Sequence, residues 1–235
     1  MHTKISSIDV RLFEVPLPEV LSDALHSRFD NCGQVCTCNE RMYLQESIYD
    51  VFMEKFMAKV EGLKIGDPML EDTDLGPKVN ANEIKNMEAL VATSIAEGAT
   101  VAYGGKQPQG KEFEKGHWFE PTILTDVTQD MTIVHKESFG PILPVLKFSD
   151  FDEVITYAND SEFGLAAMVF TNDVHKIMKC TSELEYGEVY INRGHGEQHQ
   201  GFHNGLKLSG TGGEDGKYGF DQYLEKKTFY VNYKA

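Results

Sequence analysis

Cys36 is the residue of this sequence whose type and surroundings most directly suggest covalent chemistry. It lies in the run NCGQVCTC from Asn31 to Cys38, three positions after Gly33. The glycine permits a tight turn, and we predict that it brings the thiol to the start of a helical turn. There the unpaired N–H groups and the helix dipole favour the thiolate, the nucleophilic form of cysteine. A cysteine taken alone is more often a small buried packing residue, so the residue type does not decide between the two interpretations.

The nearby cysteines raise the alternative of a metal site. Cys32, Cys36 and Cys38 form the pattern C-x3-C-x-C, whereas structural zinc sites use C-x2-C pairs. An iron–sulfur pattern C-x3-C-x2-C requires a third cysteine at the position of Asn39. The pattern therefore favours a nucleophile at Cys36 over a metal ligand.

Three histidines within nine positions, His195, His199 and His203, raise the same question further along the chain. His199 and His203 would face the same way on a helix. The glycines that surround them make a helix unfavourable there. The sequence therefore predicts no metal site at these histidines or at the cysteines.

The composition limits the classes of partner. The 235 residues carry a formal net charge of -15, which argues against binding to nucleic acids or anionic membranes. No apolar run approaches the length of a membrane span, and the first residues contain no apolar signal core. Four cysteines, three of them within seven positions, are too few and too clustered for a disulfide framework. We therefore expect a cytoplasmic protein with one substantial domain and no nucleic-acid or membrane partner.

Hydrophobic periodicity predicts an α/β fold. Apolar residues recur at helical spacing from Ile48 to Val60 and from Ile84 to Ile95, and Asn80 and Gly98 provide end signals for the second helix. Strand patterns alternate with these helices and with shorter ones after Asp150 and from Val174 to Cys180. Such alternation predicts a mostly parallel sheet with helices on both faces. The predicted strands are residues 4–15, 42–45, 100–103, 119–124, 142–148, 165–171, 188–192 and 228–233.

Two further runs accompany the Cys36 run: ESFGP from Glu137 to Pro141, and SGTGGEDG from Ser209 to Gly216. Together with NxGQxC, and in this order, they resemble the catalytic half of NAD(P)-dependent aldehyde dehydrogenases. The resemblance extends from about Ser27 to the C-terminus and is strongest to the branch that acts on lactaldehyde and glycolaldehyde. It implies an α/β fold of aldehyde dehydrogenase type, with a mostly parallel sheet flanked by helices and with the NAD-binding domain missing. The glycine run lacks the context of a dinucleotide fingerprint and predicts a loop near the active-site rim.

The resemblance implies a covalent role for Cys36. Its thiolate would attack the aldehyde carbon to give a thiohemiacetal, hydride would pass to the nicotinamide, and water would hydrolyse the thioester. The backbone N–H of Cys36 would donate to the developing oxyanion. Cys32 and Cys38 are expected to be packing residues.

The resemblance also implies residues that bind cofactor and substrate. Glu137 would bind the ribose of NAD or NADP, because a carboxylate accepts two hydroxyl hydrogen bonds, and Phe139 would pack near the nicotinamide ring. Glu197 and His203 would bind the hydroxyl of a small hydroxyaldehyde. Thr37 replaces the polar amide residue often found after the nucleophile in this branch, so the identity of the aldehyde stays open.

The first 26 residues differ from this pattern. They resemble the opening strand of an enolase-superfamily protein of the mandelate racemase type, which suggests a junction near Ser27. An ordinary N-terminal edge strand is the alternative. We therefore expect an unrelated strand segment at 1–26, the catalytic domain at 27–225 and a C-terminal strand of the oligomerisation region at 226–235.

The expected function is NAD(P)-dependent oxidation of a small hydroxyaldehyde to its carboxylic acid, in a homo-oligomer. These residues contain no counterpart of the ELGGK-type segment with the general-base glutamate, or of the PWN segment with the oxyanion-hole asparagine. We therefore expect a truncated chain with little activity of its own, since losing one oxyanion donor alone costs about a hundredfold or more in rate. The alternatives are a cofactor-free thiol esterase and a non-catalytic association module.

Overall fold

The computed structural model describes residues 16–234 and the backbone of two short strands before them. These two strands fall within the strand predicted for residues 4–15, whose remaining part lies outside the described residues. None of the described helices combines the length and the hydropathy that a bilayer crossing requires. The strands are β1 (Ile5–Ser6), β2 (Ile8–Asp9), β3 (Met42–Gln45), β4 (Thr100–Tyr103), β5 (Thr122–Thr125), β6 (Ile142–Phe148), β7 (Phe163–Gly164), β8 (Ala166–Val169), β9 (Glu188–Ile191), β10 (His203–Asn204), β11 (Leu206–Lys207) and β12 (Gly213–Glu214).

The larger sheet has the strand order β1–β3–β6–β5–β4. β3 and β5 both pair with β6 in parallel, and the register places Met42 opposite Val145 and Thr122 opposite Ile142. β1 and β4 add antiparallel strands at the two edges. The central strand β6 is buried on both faces from Ile142 to Leu146, as its continuous apolar sequence requires.

The second sheet, with the order β2–β8–β9, is parallel throughout. Two small antiparallel ladders, β7 with β11 and β10 with β12, accompany it. The backbone oxygen of Asn204 occupies the space where Gly187 would carry a side chain. β10 therefore passes close to the start of β9, and this crossing brings Glu188 and His203 into the same region.

Local sequence signals determine where the main helices begin and end. The side chain of Asn80 accepts hydrogen bonds from two N–H groups of the first turn of the following helix, and Gly98 ends that helix with φ +112°. Asp150 and Asp173 cap two later helices in the same way. The helices are α1 (Leu17–Phe29), α2 (Tyr49–Glu61), α3 (Ala81–Glu97), α4 (Thr132–His135), α5 (Phe151–Asn159), α6 (Val174–Glu183) and α7 (Gly216–Gln222).

The amphipathic faces of α2 and α3 are close to those predicted. Phe52, Phe56 and Val60 of α2 are fully buried against the sheet. Val51 and Ile95, which the periodicity placed on the buried faces, are instead 50% and 53% exposed. Each lies at the edge of the apolar stripe of its helix. Because successive residues are rotated by about 100° around the helix axis, a side chain at that edge points partly to solvent.

The segment from Leu17 to Phe29 is a helix and not part of a strand segment, in contrast to the expectation for residues 1–26. Its proline lies in the first turn, where the missing N–H has no intrahelical partner to lose. Val20, Leu21 and Ala24 are buried in the core that α2 and β3 also line. The domain boundary predicted at residue 26 falls inside α1, and the domain division itself stays a prediction.

The C-terminal tail is irregular from residue 225 to residue 234. Phe229, Tyr230, Val231 and Tyr233 are between 72% and 94% exposed. A strand needs a neighbour to pair its backbone groups, and in the described part of the chain no strand pairs with this segment. The strand predicted at 228–233 is therefore wrong for the single chain.

Candidate active site

Cys36 lies in a tight turn between α1 and β3, and its side chain is exposed. The N–H of Cys38 closes the turn by donating to the carbonyl of Val35 at 3.0 Å. The N–H groups of Cys36 and Thr37 face the thiol and lower its pKa. These two donors would also stabilise negative charge on an oxygen attached to the carbon that Cys36 attacks.

The net electrostatic effect on Cys36 differs from the prediction. Burial, followed by the negative charge of Glu197, raises the pKa of the Cys36 thiol, and Glu188 acts in the same direction. The expected preference for thiolate is therefore wrong for this chain. The physical reason is that the turn does not continue into a helix, so no helix dipole opposes the effect of burial and of the two carboxylates.

Gly33 brings the Cys36 run and the ESFGP run into contact. Its φ of +73° is in the left-handed region, and a Cβ there would lie 2.3 Å from the carbonyl oxygen of Gly140. Gln34 fixes the other side of the loop, since its amide donates to the carbonyl of Asn31 at 2.9 Å and accepts from the N–H of Val79 at 3.0 Å. The glycine and the glutamine of NxGQxC thus set the position of the thiol.

A buried ion pair joins the same two segments. Arg28, whose side chain is fully buried, lies 3.0 Å from Glu40 and donates to the carbonyls of Gly33 and Asn39. Glu40 accepts hydrogen bonds from the N–H and the hydroxyl of Ser138, both at 2.8 Å. Sequence reasoning missed Arg28 and Glu40, because Glu40 and Ser138 are 98 positions apart and no local pattern links them.

Glu137 and Phe139, predicted to bind cofactor, are both exposed on the ESFGP turn. Glu137 lines a cavity of about 230 Å³ that Cys36 also lines. Burial and repulsion from Glu40 raise the pKa of the Glu137 carboxyl. Phe139 has φ +44°, and the fully buried side chain of Lys78 donates to its carbonyl oxygen. The structure therefore places Glu137 on the same cavity as the thiol and Phe139 two residues further along the turn.

Glu197 and His203, predicted to bind substrate, lie together. Nδ1 of His203 is 3.8 Å from Oε1 of Glu197 and 3.1 Å from Oε1 of Glu188. The hydroxyl of Tyr190 donates to the other Glu188 oxygen at 2.8 Å. The charges of both glutamates act on Cys36, so this cluster borders the nucleophile.

Sequence reasoning missed Glu188, although a signal was present. Glu188 and Tyr190 are two positions apart on β9, and strand periodicity points both side chains to one face. Their hydrogen bond confirms that geometry. A glutamate at the start of a predicted internal strand was therefore a candidate for the site.

The glycine run positions His203. Gly213 pairs with Asn204 in the β10–β12 ladder, and a Cβ on Gly213 would lie 2.3 Å from the carbonyl oxygen of His203. The run therefore packs directly on the strand that carries a proposed substrate ligand, which agrees with a loop near the rim of the site. α7 begins at Gly216, at the end of the run.

Cys32, Cys38 and His195 do not belong to the group formed by Glu197 and His203. Cys32 and Cys38 are buried, and burial raises the pKa of each thiol to about 11, as expected for packing residues. His195 stacks on His26 with ring centroids 4.9 Å apart, and its Nε2 lies 3.4 Å from Oδ2 of Asp30. The three clustered histidines of the sequence therefore do not form one group.

Comparison with known proteins agrees with this arrangement. The family model described as Aldehyde dehydrogenase family matches residues 14–229. The chain belongs to the aldehyde dehydrogenase family. The matched part includes the Cys36 turn, the ESFGP turn and the cluster around His203, and it begins before the boundary predicted at residue 26.

Individual relatives are similar to this member of the aldehyde dehydrogenase family. It is 64% identical over 220 residues to 3,6-anhydro-alpha-L-galactose dehydrogenase of Vibrio sp. (strain EJY3), covering 94% of this chain and 46% of the relative. It is 43% identical over 206 residues to lactaldehyde dehydrogenase of Escherichia coli (strain K12), covering 87% and 42%. The chain therefore spans less than half the length of these relatives.

Solved structures confirm the predicted fold class. The structure of 3,6-anhydro-L-galactose dehydrogenase in complex with NAP is 69% identical to this aldehyde dehydrogenase family chain, with a TM-score of 0.91 and coverage of 94% of this chain and 46% of that one. Lactaldehyde dehydrogenase from Escherichia coli superposes with a TM-score of 0.87 at 41% identity, covering 93% and 45%. The α/β fold of aldehyde dehydrogenase type is thereby established for the aligned residues.

Proposed function

We propose that the chain carries the nucleophile of an NAD(P)-dependent aldehyde dehydrogenase that oxidises a small hydroxyaldehyde to its carboxylic acid. The observation that supports this most directly is the position of Cys36. Its exposed thiol lines the same cavity as Glu137 and borders the cluster that contains Glu197 and His203. A nucleophile, a carboxylate suited to ribose and groups suited to a substrate hydroxyl thus adjoin one another.

Cys36 supplies the covalent chemistry of the proposed reaction. Its thiolate sulfur forms a bond to the aldehyde carbon, and the carbonyl electron pair moves to the oxygen to give a thiohemiacetal. The N–H groups of Cys36 and Thr37 are the donors that face this developing charge. Loss of hydride leaves a thioester, and water then releases the carboxylic acid and regenerates the thiol.

Glu137 and Phe139 are the residues of this chain that would hold the cofactor. When bound, NAD(P) supplies the acceptor for the hydride. The exposed Glu137 carboxylate can accept hydrogen bonds from ribose hydroxyls, and the exposed Phe139 ring offers an apolar face to a nicotinamide. The D-glyceraldehyde dehydrogenase (NADP(+)) of Picrophilus torridus, 37% identical over 218 residues, supports a nicotinamide cofactor and makes NADP one of the two forms to test.

The proposed substrate class follows from the cluster around His203 and from the relatives. Carboxylates and an imidazole can pair with substrate hydroxyls, and such sites discriminate strongly against analogues without them. The relative with 64% identity makes 3,6-anhydro-L-galactose the first aldehyde to test, and the lactaldehyde dehydrogenase makes lactaldehyde the second. Glycolaldehyde, which carries a single hydroxyl, completes the series.

The experiment that tests the proposal follows NADH or NADPH formation with these three aldehydes and labels Cys36 in parallel. We expect no turnover by the purified 235 residues, because they contain no counterpart of the family's general-base segment. We expect iodoacetamide to label Cys36 selectively in the same preparation. Turnover that disappears in Cys36→Ser would assign the general base to another residue of these 235 and strengthen the proposal. Absence of both turnover and selective labelling would overturn it.

A thiol esterase is a second candidate, and a specific observation favours testing it. An exposed thiol with two N–H donors facing it needs no cofactor for acyl transfer. The test is p-nitrophenol release from p-nitrophenyl acetate before and after alkylation. Release that alkylation and Cys36→Ser both abolish would support the esterase, and unchanged release would assign the hydrolysis to another group.

The exposed tail supports a proposal about association. Phe229, Tyr230 and Val231 present apolar surface that a soluble chain would bury against another copy. We therefore propose a homo-oligomer in which this segment gains a strand partner. The reduced thiols of Cys32, Cys36 and Cys38 fit the proposed cytoplasmic location.

A further inference from the structure

We infer that Glu188, Glu197 and His203 form a binding site for one divalent transition-metal ion near Cys36, with Zn²⁺ the best match. The inference deepens the proposed function, because it assigns an inhibitory ligand to side chains proposed to bind substrate. The predicted effect on substrate binding rests on the proposed function. The predicted binding of the ion does not.

The three donor atoms are already close enough to share an ion. Oε1 of Glu188 and Oε1 of Glu197 lie 3.1 and 3.8 Å from Nδ1 of His203, and one ligand atom from each residue lies within 4.8 Å of the others. Zinc bonds to nitrogen and carboxylate oxygen are about 2.0–2.2 Å, so tetrahedral ligands are separated by roughly 3.4 Å. Small side-chain rotations therefore suffice to close the set around one ion.

The environment of His203 points to a ligand at this position. Its Nδ1 is buried from solvent and has no hydrogen-bond partner, although two carboxylate oxygens lie nearby. The two carboxylates that face this one nitrogen repel each other. A divalent cation removes this repulsion, uses the Nδ1 lone pair and neutralises the two negative charges.

The supporting contacts are those that metal sites commonly have. Tyr190 donates to Oε2 of Glu188 and leaves Oε1 free to face His203. His203 is held on β10 by the close packing of Gly213 against its carbonyl. Two of the three ligands, Glu188 and His203, are thereby fixed on strands. Glu197 lies on the loop after β9, and a small movement of its side chain would bring its carboxylate to the same ion.

A second group of histidine and carboxylate provides an internal control. His26, Asp30 and His195 also bring three donor atoms within 4.8 Å. The side chains of His26, Asp30 and His195 are 63%, 41% and 6% exposed. Those of Glu188, Glu197 and His203 are 13%, 36% and 23% exposed, so this group has no mostly exposed ligand and contributes two carboxylates instead of one. The two groups can be separated by mutation.

A bound ion would have a defined consequence for the proposed chemistry. Glu197 and His203 are the groups proposed to pair with a substrate hydroxyl, and an ion that uses them competes with that hydroxyl. The ion would also offset the charges of Glu188 and Glu197, which act on Cys36. Zinc therefore competes with a hydroxyaldehyde for the Glu197 and His203 side chains.

The test is calorimetric titration of Zn²⁺ into the metal-free 235-residue chain near neutral pH. We expect saturable binding of one equivalent. His203→Asn and Glu197→Gln should each weaken it by about tenfold or more, because each removes one ligand. Glu197 is exposed, so its variant keeps the test informative if His203→Asn fails to fold.

Two control variants locate the ion. Binding should be unchanged in His195→Asn, which removes the other histidine–carboxylate group, and in Cys36→Ser, which removes the exposed thiol. Loss of binding in either control, or wild-type affinity in Glu197→Gln, would overturn the inference. So would the absence of saturable binding by the wild-type chain. The titration uses no NAD(P) and no aldehyde, so its failure is distinguishable from failure of the Cys36 labelling that tests the proposed function.

Discussion

Two groups of residues near Cys36 are held in different ways. On the side of the Cys36 cavity, which Glu40 also lines, Arg28 and Glu40 fix the Cys36 loop and the ESFGP turn through hydrogen-bonded contacts. Glu188, Glu197 and His203 form the second group, which is partly exposed and brings two carboxylates together beside one imidazole nitrogen. The comparison teaches that the hydrogen bonds of the first group hold the nucleophile loop, whereas the second group combines like charges that the fold alone does not neutralise.

The largest expected effect comes from removing the buried cation of the first group. In Arg28→Met, Glu40 loses its counter-ion and two backbone carbonyls lose a donor, so we expect the free energy of unfolding to fall by about 3–5 kcal/mol. Urea-induced unfolding measures the change. The exposed Arg193 donates to the carbonyl of Gly196, and Arg193→Met should cost less than about 1 kcal/mol. Equal losses in the two variants would show that the Arg28 contacts do not distinguish the first group.

The next effect tests the contact between the two runs. Gly33→Ala places a Cβ against the carbonyl of Gly140 at a left-handed φ, so we expect a loss of about 2–4 kcal/mol in the free energy of unfolding. Gly212→Ala is the matched control, because no atom lies within 4 Å of its Cβ position. The control should stay within about 0.5 kcal/mol of the wild type. A harmless Gly33→Ala would mean that the two runs are not in close contact.

A smaller effect concerns the pH dependence of the thiol. Glu197 and Glu188 raise the pKa of Cys36, since nearby negative charge disfavours the thiolate. Glu197→Gln and Glu188→Gln should therefore lower that pKa, and the rise of the Cys36 alkylation rate should occur at lower pH than in the wild type. Alkylation rates measured across a pH series check this. Glu153→Gln on α5 removes a distant carboxylate and should leave the profile in place. A profile that moves upward in Glu197→Gln would contradict the assigned sign.

The smallest change in the free energy of unfolding is expected from substitutions in the exposed C-terminal tail. Tyr230 is 94% exposed, so Tyr230→Ser should change the free energy of unfolding by less than about 0.5 kcal/mol. The same substitution should weaken self-association, as measured by analytical ultracentrifugation. Tyr223→Ser, at an equally exposed position outside the tail, is the control. Unchanged association in Tyr230→Ser would remove the tail from the proposed oligomer interface.

Much of the fold was predictable because its signals are local. The apolar run of β6 predicted its bounds of Ile142 and Phe148, and Asn80 and Gly98 marked the ends of α3. The helix α1 was not predicted, although Pro18 in its first turn is compatible with a helix start. The tail strand was predicted from alternation alone, which does not reveal whether a partner strand is present.

The candidate site was predictable only in part. The resemblance gave Cys36, Glu137, Phe139, Glu197 and His203, and the fold brings Glu197 and His203 together as expected. Arg28, Glu40 and Glu188 were missed, because Glu40 contacts Ser138 98 positions away and Glu188 contacts His203, and the sequence alone does not reveal these contacts. The direction of the Cys36 pKa shift was also predicted wrongly, since burial by the folded chain is its largest cause and the charges of Glu197 and Glu188 add to it.

The measurement that tests the central claim most directly is the rate at which iodoacetamide labels each cysteine of the folded chain, followed by peptide mass spectrometry. Cys36 is exposed, whereas Cys32, Cys38 and Cys180 are buried. We expect Cys36 to be labelled roughly tenfold or more faster than the other three, and the rates to converge in the urea-unfolded chain. If Cys36 reacts no faster than Cys180 in the folded chain, Cys36 is not an accessible nucleophile and the proposed function is wrong.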